Sequence, residues 1–221
     1  MSNRSRDRGR ANGLDVSEIT WKGAQAFKQL HALNERCLER LIQLACSDRE
    51  KIDLMVVQQH RNLWRNLSAS ARKRAADVPF LLVDMHFQDA TWWRSAKDPR
   101  LKRQPVCDSA FLGPSAGELM RETLMLAWSL VARDRASATI LLGMTPAVGE
   151  VVADLDARDV ERISARHSRQ LQPRWSDFPA FWGRLLAAAH SDNEDALHLI
   201  RLHGLQLLGR GLIPLLDSER S

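Results

Sequence analysis

The feature that most constrains this chain is an internal repeat. Shifted by 86 residues, Leu33, Leu38, Leu44, Asp48 and Arg49 fall on Leu119, Leu124, Leu130, Asp134 and Arg135, so a leucine-striped segment and its Asp-Arg ending occur twice. With two further residues of offset, Leu63, Leu67, Ala69 and Arg74 meet Val151, Leu155, Ala157 and Arg162, while Phe87 and Asp89 meet Trp175 and Asp177. The aromatic pairs Trp92-Trp93 and Phe181-Trp182 close both copies. A period this long, occurring twice, specifies tandem units rather than a solenoid, which stacks at least three shorter repeats.

Within each copy the apolar spacing is that of helices. Leu30, Leu33, Cys37, Leu38, Leu41, Ile42, Leu44 and Ala45 recur at three- and four-residue intervals, predicting a helix over 21–45 with Asp15 or Ser17 as its cap. Leu119, Leu124, Leu126, Ala127, Leu130 and Val131 form the equivalent stripe of a second long helix, and Ser115 with Glu118 predicts a capping box at its start. Thr145-Pro146 opens another helix with a cap and an N1 proline, and Asp156 starts a further one through Val160 and Ile163. Residues 192–216 predict a last amphipathic helix carrying Leu197, Leu199, Ile200, Leu202, Leu205 and Leu208, without a counterpart in the first copy. The one strand-like segment, Phe80 to Val83, is too short for a sheet. The expectation is an all-α chain: a basic disordered tail over 1–14, helical units over 15–96 and 115–190, a basic Pro-containing linker over 97–114 and a C-terminal helix and tail over 191–221.

Charge and composition narrow the function classes. The chain has a net charge of +5, but the excess lies in two places. Arg4, Arg6, Arg8 and Arg10 make the tail basic, and Arg94, Lys97, Arg100, Lys102 and Arg103 make the linker basic, leaving a slightly acidic body. Two such segments suit phosphate contacts; they are equally what a solvated tail and loop look like. The longest nearly continuous apolar stretch, Leu124 to Ala132, is well short of the roughly 18 residues of a membrane span. The first thirteen residues hold no apolar run, and three cysteines without a C-x-x-C pair make neither a disulfide framework nor a zinc knuckle. A cytoplasmic protein is expected. No G-x-S-x-G, P-loop or H-E-x-x-H occurs, and among the seven histidines the spacings of His190, His198 and His203 do not share a helical face well, so neither an enzyme nor a metal or cofactor site is expected.

The run from Leu126 to Met144, with Asp134-Arg135-Ala136-Ser137-Ala138 followed by Leu142-Gly143-Met144, resembles the bacterial flagellar transcriptional activator FlhD family. That family joins a long helix to the next through an Asp-basic-Ala-small-Ala turn and a Leu-Gly-Ile or Leu-Gly-Met step. The resemblance covers about 118–177, including Leu155 and the helix from Asp159 to Ser164; the first unit is a fainter tandem copy without the counterpart of Leu142-Gly143. The family's disulfide-forming cysteine has no counterpart near Pro173. The resemblance implies an α-helical transcription-activator subunit acting with a separate zinc-containing, DNA-binding partner of the FlhC kind, and two fused copies would imitate a homodimer within one chain.

Read without the resemblance, Ala138 to Leu155 has the outline of a helix-turn-helix with Gly143 at the turn, although Ala147, Glu150 and Asp154 are poor base readers. Two core helices joined by a glycine turn account for these side chains better, since Gly149 sits where a buried β-branched residue would be usual. Trp128 and Ile140 fall off their stripe and are expected to meet the other unit or a partner. Two functions are carried forward: a regulatory subunit touching DNA phosphates beside a sequence-reading partner, and a helical scaffold without a DNA role, either of which is compatible with a homo-oligomer.

Overall fold

The computed structural model describes residues 16–47, 54–98, 100, 111 and 114–218, the side chains of 16–23, 114–115 and 211–218 excepted. Eleven α-helices, one 3-10 turn (Ser168–Gln170) and one pair of two-residue strands make up the regular structure of these residues, so the fold is all-α. The first half holds α1 (Val16–Cys46), α2 (Met55–Gln58), α3 (Arg61–Arg65), α4 (Ala69–Ala76), β1 (Val83–Asp84) and α5 (Ala90–Lys97). The second holds α6 (Pro114–Arg133), α7 (Arg135–Leu142), α8 (Pro146–Ala153), α9 (Ala157–His167), β2 (Gln172–Pro173) and α10 (Pro179–His190), followed by α11 (Glu194–Ser218).

Local chemistry explains where these helices start. Ser68, Asp89, Asp134, Thr145 and Asp156 each turn a side-chain oxygen to the first backbone N–H groups of α4, α5, α7, α8 and α9, and Asp156 with Asp159 forms a full capping box. Gly143 ends α7 at φ +61°, in the left-handed region that favours glycine. The expected capping box at Ser115 is displaced: α6 already begins at Pro114, so Ser115 lies inside its first turn. Asp15 lies outside the described residues.

The repeat is visible in the order of the elements and in paired details. Ser68 and Asp156 cap α4 and α9, and Asp89 and Phe178 precede α5 and α10. The equivalent strands β1 and β2 pair with each other, antiparallel, with Val83 opposite Pro173 and Asp84 opposite Gln172. Just beyond them His86 and Trp175 both stand at φ 53°, which places these two residues, rather than Phe87 and Trp175, in register.

The two tandem units do not bury their apolar faces independently. The buried side chains of both halves form one continuous core. Helix α1 packs on α4 of its own half and on α6 of the other, and Arg36 of α1 pairs with Glu122 of α6. The aromatic closing helices are exchanged: α5 packs on α8 and α9, whereas α10 packs on α2, α3 and α4. The repeated arginines latch each exchanged helix. Arg74 of α4 donates to the Ala189 carbonyl at the end of α10 (2.7 Å), and Arg162 of α9 donates to the Lys97 carbonyl at the end of α5 (2.6 Å). An apolar stripe specifies a face to be covered and says nothing of which half covers it, so exchange buries both stripes as well as separate packing would.

Buried polar groups fix the loop before β1, one from within the first half and one from across the crossing. The Asn34 side chain, buried in α1, donates to the carbonyls of Ala76 and Phe80 and accepts from the Leu82 N–H (2.7 Å). Arg174, 4% exposed, donates from Nε to the Leu81 carbonyl (2.8 Å) and from Nη2 to the carbonyls of Leu142 (2.6 Å) and Val83 (3.3 Å). Its backbone N–H reaches the Leu82 carbonyl, and its own carbonyl accepts from Trp182 Nε1. One side chain of the second half thus terminates α7 and holds β1 of the first.

Candidate interaction surfaces

The segment with the outline of a helix-turn-helix, Ala138 to Leu155, lies at α7, Gly143 and α8. Its two helices meet at 117°, within the range of helix-turn-helix pairs. The faces they bury are apolar: Ala138, Leu141 and Leu142 on α7, and Val148, Gly149, Val151 and Val152 on α8. The turn is filled from beneath, because a Cβ on Gly143 would stand 2.6 Å from Arg174 Nη1 and from Leu208 Cδ2. What α8 and the Asp154 that ends it turn outward is Pro146, Glu150 and the Asp154 carboxylate, a face that repels phosphate. The pair is built as two core helices on a glycine turn.

The described part of the basic linker lies beside that acidic face. Arg94, Lys97 and Asp98 from α5 and its end, with Ala147, Glu150, Val151 and Asp154 from α8, line a cleft of about 450 Å³. Lys97 pairs with Asp154 (3.7 Å), Arg94 is exposed, and Arg100 is exposed with its backbone N–H bonded to Asp98. The cleft is therefore close to neutral rather than a basic groove. Arg4, Arg6, Arg8, Arg10, Lys102 and Arg103 lie outside the described residues.

Trp128 and Ile140 separate. Trp128 is half-buried against the common core, whereas Ile140 on α7 is 57% exposed and does not turn into the other half. Trp92, Trp93 and Trp182 are buried and Trp175 is half-buried, its ring edge-on to Phe181 at 4.5 Å, so these rings anchor the core.

Two surfaces carry little signal in the sequence. The first is a cleft of about 460 Å³ over the strand pair, where Asp84, His86, Gln88 and Asp89 of one half face residues 172–177 of the other. Burial pulls the Arg174 guanidinium below its ordinary value and the nearby Asp84 carboxylate (3.5 Å) holds it up. Only the repeat and the Arg174-Trp175 dipeptide hinted at this place. The second is a groove between α10 and α11, of about 770 Å³, whose walls include Arg184, Ala187, Ala188, Leu199, Leu202 and Gln206. The leucines of α11 read in sequence as one stripe; the structure divides them. Leu197, Ile200 and Leu208 are buried, and Leu199 and Leu202 are 65% and 45% exposed.

Among the described residues no cluster of three or more His, Cys, Asp or Glu is placed to hold a metal ion, and no single helix is long and apolar enough to cross a membrane. No protein-family model, curated protein or solved structure matches the chain.

Proposed function

We propose that this chain is an FlhD-like regulatory subunit in which one polypeptide takes the part of a dimer, acting by assembly with a separate DNA-binding protein of the FlhC kind. The observation that carries the proposal is the exchange of α5 and α10 between halves of matching order, which makes one polypeptide a two-part unit, as a fused pair of subunits would be. Ile140, exposed on the helix whose sequence carries the resemblance, is the side chain offered to that partner. Sequence choice comes from the partner. Arg4, Arg6, Arg8 and Arg10, with Arg94, Lys97, Arg100, Lys102 and Arg103, contribute phosphate contacts that position without specifying.

The Lys97–Asp154 pair and the outward Glu150 favour a second reading, a helical adaptor with no DNA role. The two are separated by titrating a duplex with the chain, alone and with the partner captured from cells, across a salt series. Under the regulatory reading, binding is weak and indifferent to sequence for the chain alone and falls steeply with salt. Replacing the five linker cations by alanine flattens that dependence. Absence of duplex binding at low salt, alone and with the partner, refutes the regulatory reading and leaves the adaptor.

A further inference from the structure

We infer that the outer face of α11 is a self-association site whose occupant is α11 of a second copy of this chain, crossing antiparallel. Among the described residues helix α11 has no equivalent in the first half, and its inner face is already covered by α10. Its outer face nevertheless carries Leu199 and Leu202, the former the most exposed large apolar side chain among the described residues. Beside them runs an open groove whose α10 wall includes Ala187 and Ala188, small enough to admit a second helix.

Charge selects the occupant and its direction. Asp195 near the start of α11 and Arg210 near the end of its described side chains are both exposed, and neither has an ion-pair partner among the described residues. The helical repeat places Asp195, Leu199, Leu202 and Gln206 on one face at alternating four- and three-residue spacing, the pattern of a two-helix seam. An antiparallel crossing centred between Leu199 and Leu202 sets each Leu199 against Leu202 of the second copy. The same register brings Asp195 opposite Gln206 of that copy and within one turn of its Arg210, and it opposes the helix dipoles. A parallel crossing would set Asp195 on Asp195 and Arg210 on Arg210. The face is thus complementary to itself in one direction, which a two-fold interface requires.

The test is a concentration series of the full chain by sedimentation equilibrium. The expected result is reversible association from 25.0 kDa to about twice that mass. Leu199→Glu with Leu202→Glu weakens it by about thirtyfold or more, with the far-UV spectrum and melting temperature retained because both side chains point away from the core. Leu199→Asn with Leu202→Asn gives the same result should the glutamates disturb α11. Asp195→Arg and Arg210→Asp each weaken association, and the two together restore it, an outcome that only the antiparallel register produces. A chain that stays at 25.0 kDa to several hundred micromolar overturns the inference, as does a dimer indifferent to the leucine variants or to both charge reversals. A groove occupied instead by a different protein, with no self-association, overturns it as well.

Discussion

Replacing Arg174 by methionine tests the account of how the halves are tied. Methionine keeps much of the length and apolar volume of the side chain and removes the guanidinium, so three carbonyls, those of Leu81, Leu142 and Val83, lose their donor inside the core. A buried acceptor left without a partner costs about 1–3 kcal/mol, and the 3.3 Å contact to Val83 belongs at the low end of that range. Against this, the variant no longer holds a cation out of water, a penalty of several kcal/mol for a fully buried ion. The Leu142 carbonyl keeps its place at the end of α7, and Asp84 is partly solvated and loses little. The net expectation is a loss of about 3 kcal/mol, bounded by about 2 and 5. Asp84→Asn, by contrast, costs under about 1 kcal/mol, because an ion pair with one solvated member contributes little. Urea unfolding, followed by tryptophan fluorescence and far-UV circular dichroism, measures both. The two probes are expected to coincide in the wild type and in the variant, since the halves share one core. A loss below about 1 kcal/mol for Arg174→Met, or a wild-type transition in which one half unfolds before the other, refutes the reasoning.

Gly204→Ala is expected to destabilise by about 1–2 kcal/mol despite alanine's better helix propensity, because the new Cβ would stand 2.1 Å from the buried Phe80 ring; Gly117→Ala, with nothing within 4 Å, gains up to about 1 kcal/mol, both read from thermal melts. Burial pushes the Cys37 thiol up from its ordinary value, so a thiol reagent labels the exposed Cys46 in the native chain and reaches Cys37 only on unfolding, a difference that peptide mapping reads. The Ser137 hydroxyl, followed by backbone N–H groups, holds the Asp134 carboxyl below its usual value. A lowered carboxylate stabilises the folded form above its unfolded pKa and loses that contribution as the pH falls through the folded one. The wild type therefore converges in stability on Asp134→Ala in acid while exceeding it modestly at neutral pH, as paired urea titrations at the two pH values would record.

What could be read in the residues was what depends on near neighbours. Thr145-Pro146 and Asp156 begin their helices where the residue chemistry puts them, and the three- and four-residue spacing locates the buried face of α1 almost residue by residue. The repeat ordered the elements correctly and slipped by one residue at the strand pair, where no apolar period exists to hold the alignment. The exchange of α5 and α10 was illegible because a stripe has no address. Arg174 was missed for a related reason: its acceptors lie 32, 91 and 93 residues away, and nothing in its immediate neighbours distinguishes it from a surface arginine. Leu199 and Leu202 passed as core because a helix wheel counts apolar residues without knowing which side another helix will take.

Joining the two halves in one chain also frees them from each other. In a homodimer every substitution arrives twice, so neither subunit can acquire a feature its twin lacks, and dilution takes the pair apart. Here the exchanged helices remain joined at any dilution, and each half carries its own residues. Among the described residues only the second half has a left-handed glycine step, at Gly143, and continues into a helix such as α11, while the position of Phe178 is held by Asp89 in the first. A partner that fits α7 and α8 therefore finds one seat per polypeptide where a homodimer would present two. Polarity, one end different from the other, is written into the molecule before anything binds.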